Sequence, residues 1–169
     1  MTPDVQEHSF EECEAMGTAL AQAGLTVLAR CPTVPVEVLA VRQQRIATRL
    51  TNILYEEAFR RRLLPDVRDA EGRIHSEVSV IKIGTAWFAA VPGELLPGLG
   101  LALKASLKEA GAETAGIIGL ANHELGYILP AEDFRYPRNP LRPGKHYEET
   151  NSIGKEIGPA VMAAVRSLL

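Results

Sequence analysis

Two apolar segments separated by a helical stretch constrain this chain more than anything else in it. The first runs from Thr85 through Trp87-Phe88-Ala89-Ala90-Val91 into the turn Pro92-Gly93-Glu94, and the second from Gly116-Ile117-Ile118-Gly119-Leu120 into Ala121-Asn122-His123-Glu124-Leu125-Gly126-Tyr127. Between them, positions 95–110 read as a helix closed by Gly111, a residue suited to the position just beyond a helix end. Strand, helix, strand over this length is a βαβ unit, whose strands run parallel and are joined by a right-handed crossover. Both polar turns then fall at the same edge of the sheet, where open α/β proteins place their chemistry.

The rest of the chain builds around this unit. Ser9-Phe10-Glu11-Glu12 has the form of a capping box, in which Glu12 would reach back to the backbone of Ser9. A core-facing helix over 10–30 follows, with Met16, Leu20, Ala23, Val27 and Leu28 at helical spacing and Pro32 beyond its end. Val36, Val38, Val41 and Ile46 favour a strand over 34–48, and 52–64 reads as a helix stopped by Pro65. Alternation through Val78, Val80, Ile81 and Ile83, then Gly84-Thr85, predicts a hairpin into the strand beginning at Ala86. Three prolines and three arginines within 135–145 predict a surface loop, and Val161, Val165 and Leu168 share one face of a helix over 158–169.

The expected fold class is therefore α/β, a mixed sheet with a βαβ unit and flanking helices. Its parts are a helix at 10–30, mixed α/β structure over 34–129, a loop at 135–145 and a C-terminal helix at 158–169. A length of 169 residues with 46% hydrophobic content supports a sizeable core. A net charge of -3 gives no basic footprint for nucleic acid or an anionic membrane, and Arg60-Arg61-Arg62 reads as the solvated end of a helix. Cys13 and Cys31 lack the spacing of a metal site; they read as reduced structural thiols, with a disulfide left open. No signal-peptide pattern and no bilayer-length apolar stretch is visible, so a soluble protein, cytoplasmic by default, is expected.

Several residues are candidates for chemistry, each with a plainer alternative. Glu94 could be a functional carboxylate or an anion at the positive end of the following helix. Tyr127 could be a ligand or a packed ring whose hydroxyl satisfies a buried hydrogen bond. His123 and Glu124 could form a self-contained site with Tyr127, although neighbouring side chains on extended backbone diverge. His75 and His146 stand isolated in polar segments and read as exposed. No helical H-E-x-x-H zinc site, G-x-S-x-G elbow, P-loop or dinucleotide fingerprint occurs.

The order Val91-Pro92-Gly93-Glu94, helix, strand, Gly119-Leu120-Ala121-Asn122, Tyr127-Ile128, Glu132-Asp133-Phe134 and Tyr147-Glu148 resembles the neutral/alkaline non-lysosomal ceramidase family. The resemblance covers most of this chain and the later part of that family's catalytic domain. It implies zinc, with Glu94 and Tyr127 as the glutamate and tyrosine ligands and two histidines supplied by an earlier part of the domain. It also implies hydrolysis of an N-acyl amide lipid such as ceramide, zinc polarising the carbonyl and lowering the pKa of a bound water to about 7. Met1-Thr2-Pro3 resembles the end of a family Gly-Asp-Val-Ser-Pro stretch, which makes Thr2 a candidate catalytic residue beside Glu124.

No pair among His8, His75, His123 and His146 matches the family's upstream histidines. The expectation is thus an incomplete domain carrying half of a zinc site, inactive as an isolated chain, with the missing N-terminal half or self-association covering exposed apolar surface. The alternative is a non-catalytic α/β interaction module derived from the same family.

Overall fold

The computed structural model describes residues 6–139, 141–142 and 144–169, and the chain divides into two compact units, 1–35 and 36–169. Thr2 lies outside the described residues.

The first unit contains α1 (Phe10–Leu28). Ser9 caps it, its Oγ accepting from the Glu12 N–H at 3.1 Å. The reciprocal half of the expected box differs: the Glu12 carboxylate accepts from the backbone N–H groups of Gln6, Glu7 and His8 rather than from Ser9. These bonds hold the Glu12 carboxyl below its usual range. The expectation of a core-facing helix is not met, because α1 has no buried residue. Cys13 sits inside the helix and Cys31 just after it; both are free, as expected of reduced thiols, and both are exposed. At a rise of ~1.5 Å per residue they stand about 27 Å apart, so no disulfide joins them within one chain.

The second unit is the expected α/β domain with a mixed sheet. Its elements are β1 (Leu39–Arg49), α2 (Ile53–Arg60), β2 (Arg73–Ile83), β3 (Ala86–Ala90), β4 (Glu94–Leu95), α3 (Pro97–Glu109), β5 (Thr114–Ile118), β6 (Tyr127–Ile128), α4 (Tyr147–Thr150) and α5 (Ile157–Ser167). The main sheet has the order β1-β2-β3-β5, antiparallel across the first two pairs and parallel between β3 and β5. The hairpin and the βαβ unit both stand where hydrophobic alternation and turn residues put them.

Alternation explains which sheet face is buried. Ile74, Ser76, Val78 and Val80 of β2 point one way, with Ile46 of β1 and Ala89 of β3 on the same face. Against this face pack α3 and α5, which contribute Leu103, Leu107, Ile157, Val161 and Val165. The opposite face carries Leu39, Val41, Ile83 and Ile118, all exposed. Within the second unit, α3 and α5 therefore cover one face of the sheet.

Several element boundaries moved, and the strand expected over 34–48 is β1, beginning only at Leu39 and ending at Arg49. The helix expected over 52–64 ends at Arg60, and Arg62 takes a left-handed φ of 57°. Arg60 and Arg61 both pair with Glu57, in keeping with a solvated helix end. The helix expected over 158–169 is α5, and a short α4 precedes it. The two-residue strands β4 and β6 had no counterpart in the expected scheme, since a strand so short leaves no periodic signal.

Leu103 is fully buried against the sheet. Leu103→Ala should therefore cost about 2–5 kcal/mol of unfolding free energy, read from the urea midpoint at unchanged slope.

Candidate metal centre

The two polar turns meet through backbone pairing. β4 and β6 form a two-stranded parallel sheet in which Glu94 is the register partner of Tyr127 and Leu95 that of Ile128. The Glu94 N–H donates to the Gly126 carbonyl at 2.9 Å, and the Leu96 N–H to the Ile128 carbonyl at 3.1 Å. Upstream, the Val91 N–H donates to the Ile118 carbonyl, while the Leu125 N–H donates to the Pro92 carbonyl, each at 2.9 Å. The strand ends are thus stitched together residue by residue beyond the main sheet.

Glycines make this approach possible. A Cβ on Gly93 would lie 2.4 Å from the Gly126 carbonyl oxygen, and one on Gly126 would lie 1.8 Å from the Asn151 carbonyl oxygen. Gly126 also adopts φ +76°, a region that side-chain-bearing residues rarely occupy. On its far side Gly126 bridges to Ser152, and the Tyr127 N–H donates to the Asn151 carbonyl at 3.0 Å. Asn52 completes the frame: its Oδ1 caps α2 by accepting from Leu54, and its Nδ2 donates to the carbonyls of Thr150 and Ser152 at 2.7 Å each.

These bonds surround a cleft of about 210 Å³ lined by Tyr55, Glu94, Glu124, Gly126, Tyr127, Tyr147 and Asn151. Its side chains are two carboxylates, three phenols and one amide, with no lysine, arginine or histidine among them. Burial, the Glu94 charge and a hydrogen bond to Glu94 together push the Tyr127 phenol above its usual range, with smaller contributions from Tyr147 and Glu148. Burial and the Glu124 charge do the same to Tyr55. The Tyr147 ring meets that of Tyr127 edge-on, with centroids 5.7 Å apart. The cleft therefore presents negative charge and phenolic oxygens without a compensating base.

Glu94 is not a helix cap. α3 begins at Pro97 after Leu96 and has no acidic residue in its first turn, which places Glu94 on β4 instead. Glu124 shares the cleft with Glu94 and Tyr127, whereas His123 turns away, its Nδ1 lying 2.9 Å from Ser76 Oγ. The arrangement of His123, Glu124 and Tyr127 around one point is not formed. His75 is exposed but bonded to Asp69 at 2.7 Å. His146, read from sequence as isolated, instead holds the buried Glu149 carboxylate through Nδ1 at 2.9 Å. Sequence reasoning passed over Tyr55 and Asn151 as members of the cleft. The signal that could have pointed there is Asn52, a residue type suited to a helix N-cap, which caps α2.

Catalytic zinc sites ordinarily use three protein ligands and a water, drawn from Cys, His, Asp and Glu. Among the described residues no group of three or more such side chains could hold a metal ion. Glu94 and Tyr127 offer one carboxylate, one phenol and no nitrogen, so the described residues do not by themselves fit a zinc centre. No helix among the described residues is long and apolar enough to cross a membrane.

No family model and no curated protein matches the sequence. Among solved structures, the chain is similar to a ceramidase complexed with C2, at 17% identity and a TM-score of 0.45 over 56% of this chain. It is also similar to neutral ceramidase from Pseudomonas aeruginosa, at 16% identity and a TM-score of 0.40 over 56% of this chain. The aligned part spans 14% and 15% of those two chains respectively.

Two measurements check the geometry. In an alkaline titration followed by phenolate absorbance, Tyr127 and Tyr55 should ionise above the ordinary ~10, and Glu94→Gln should bring the Tyr127 transition down. The corresponding stability is present below pH ~10 and lost as pH rises through the raised folded-state values, because the unfolded chain gives up these protons first. Separately, Gly126→Ala should destabilise the domain by about 3 kcal/mol or more, seen as a lower Tm.

Proposed function

We propose that this chain contributes part of the active site of a zinc-dependent amide hydrolase resembling neutral ceramidase, acting on an N-acyl amide lipid such as ceramide. The observation that carries this reading is the register pairing of Glu94 with Tyr127. Those are the two residues that the order of motifs matches to a carboxylate and a phenol ligand, and they face one acidic cleft. Two ligating side chains alone are a weak grip on zinc, so the remaining ligands come from a separate polypeptide segment carrying histidines. The isolated chain is then inactive as an amidase.

A second reading is favoured by the chemistry of the cleft itself. Its lining includes no imidazole, and His123 is held at Ser76 instead. On this reading the chain is an α/β interaction module that retains the sheet and has lost the metal.

Calorimetric titration with zinc tests the ligand assignment. Weak binding is expected, reduced at least about tenfold further by Glu94→Gln or Tyr127→Phe. Tight binding indifferent to both substitutions would remove Glu94 and Tyr127 from the site. Co-expression with a histidine-bearing segment encoded nearby should restore hydrolysis of a short-chain ceramide; failure of every such segment to do so favours the module.

A further inference from the structure

α1 is not built like a helix that serves only its own chain. All of its residues lie outside any core. Gly17 and Gly24 sit in its interior, where glycine costs a helix about 1 kcal/mol relative to alanine. A Cβ at either position would meet nothing within 4 Å, so within its own unit neither glycine makes room for a neighbour.

The spacing supplies a reason for them. Cys13, Gly17, Leu20, Gly24, Val27 and Cys31 recur at alternating intervals of four and three, the period of a seam along which one helix packs against another. Although Cys31 lies past the last α-helical residue, its N–H still donates to the Leu28 carbonyl at 3.1 Å, which continues the helical turn. The seam is also self-complementary about Gln22. Reversed end for end and laid on itself, it sets Cys13 against Cys31, Gly17 against Val27 and Leu20 against Gly24. Every large residue meets a glycine, which lets two helix axes approach to the short end of the usual ~8–10 Å range.

Charge selects the same orientation. The N-terminal turns carry Glu11, Glu12 and Glu14, the helix has no basic residue, and Arg30 follows its end. An antiparallel pair brings each acidic end beside the other's Arg30, whereas a parallel pair stacks glutamates on glutamates.

We infer that α1 is a self-association surface whose partner is α1 of a second copy of this chain, packed antiparallel with Cys13 of each copy facing Cys31 of the other. The association is non-covalent, and its geometry holds two thiol pairs at bridging distance at opposite ends of the seam. It is independent of the metal-site reading, since no residue of the cleft takes part.

Cross-linking the full chain with diamide tests this directly. Each disulfide formed joins two sulfurs, and the two protons and two electrons released reduce the N=N bond of one diamide to its hydrazine. The wild type should give a covalent dimer whose peptide map contains only Cys13 linked to Cys31. Cys13→Ser alone and Cys31→Ser alone should each stay monomeric on a non-reducing gel, because their remaining cysteines lie at opposite ends of the pair. An equal mixture of the two variants should cross-link. Self-linkage of either single variant, or no linkage in the mixture, overturns the antiparallel register.

Sedimentation under reducing conditions gives a second readout. The wild type should be a dimer, and Gly24→Leu should be weakened at least tenfold in association even though leucine raises helix propensity. A wild-type monomer at all concentrations, or a Gly24→Leu chain that associates as well as the wild type, overturns the inference.

Discussion

The candidate centre depends on a ladder of backbone hydrogen bonds that continues the sheet past its last regular strand. The Val91, Glu94 and Leu96 N–H groups donate to the carbonyls of Ile118, Gly126 and Ile128, and Tyr127 donates onward to Asn151. Each such bond contributes only about 1 kcal/mol net, but a broken one strands a buried polar group at greater cost. The ladder therefore acts as a set of positional constraints more than as a store of stability. It aligns a carboxylate with a phenol at the level of single residues; Gly93 is the position where any side chain would force the two segments apart, and Gly126 the one where it would strike the Asn151 carbonyl.

Around that ladder the protein gathers acceptors and leaves out bases. Glu94, Glu124 and three tyrosines share one small cleft, while four arginines of the second unit pair elsewhere: Arg73 with Asp69 and Glu71, Arg60 and Arg61 with Glu57, Arg68 with Asp66. Burial first, and then the Glu94 charge, raises the Tyr127 phenol there. A positive charge in the cleft would reverse the sign of that effect, since the proximity that disfavours a phenolate beside a carboxylate favours both beside a cation.

Much of the architecture was legible because it rests on periodicity. Val78 and Val80 alternate on β2, Gly84-Thr85 turns the hairpin, and Gly111 follows α3 with φ +115°, each as residue type dictates. The helical period of α1 was equally legible, but its burial was not. Met16, Leu20 and Val27 repeat as core residues do, yet all three are exposed. A period reports that one face is apolar and says nothing about what covers it. Tyr55 and Asn151 stayed hidden for a related reason. They reach the cleft only because Asn52 ties α2 to the 150–152 segment, a contact between residues far apart in the chain.

By itself the sequence determined the order of the longer strands and helices, the parallel crossover, and the arrival of Glu94 and Tyr127 at a common edge, since local propensity and hydrophobic alternation suffice for these. Tertiary structure alone decided that Glu94 belongs to a strand and not to a helix cap, that Glu124 joins it, and that His123 does not. Those outcomes turn on left-handed turns at Leu120, Asn122 and Gly126 and on backbone bonds between distant segments. Such bonds join groups that every residue carries, so no pattern of residue types announces them in advance.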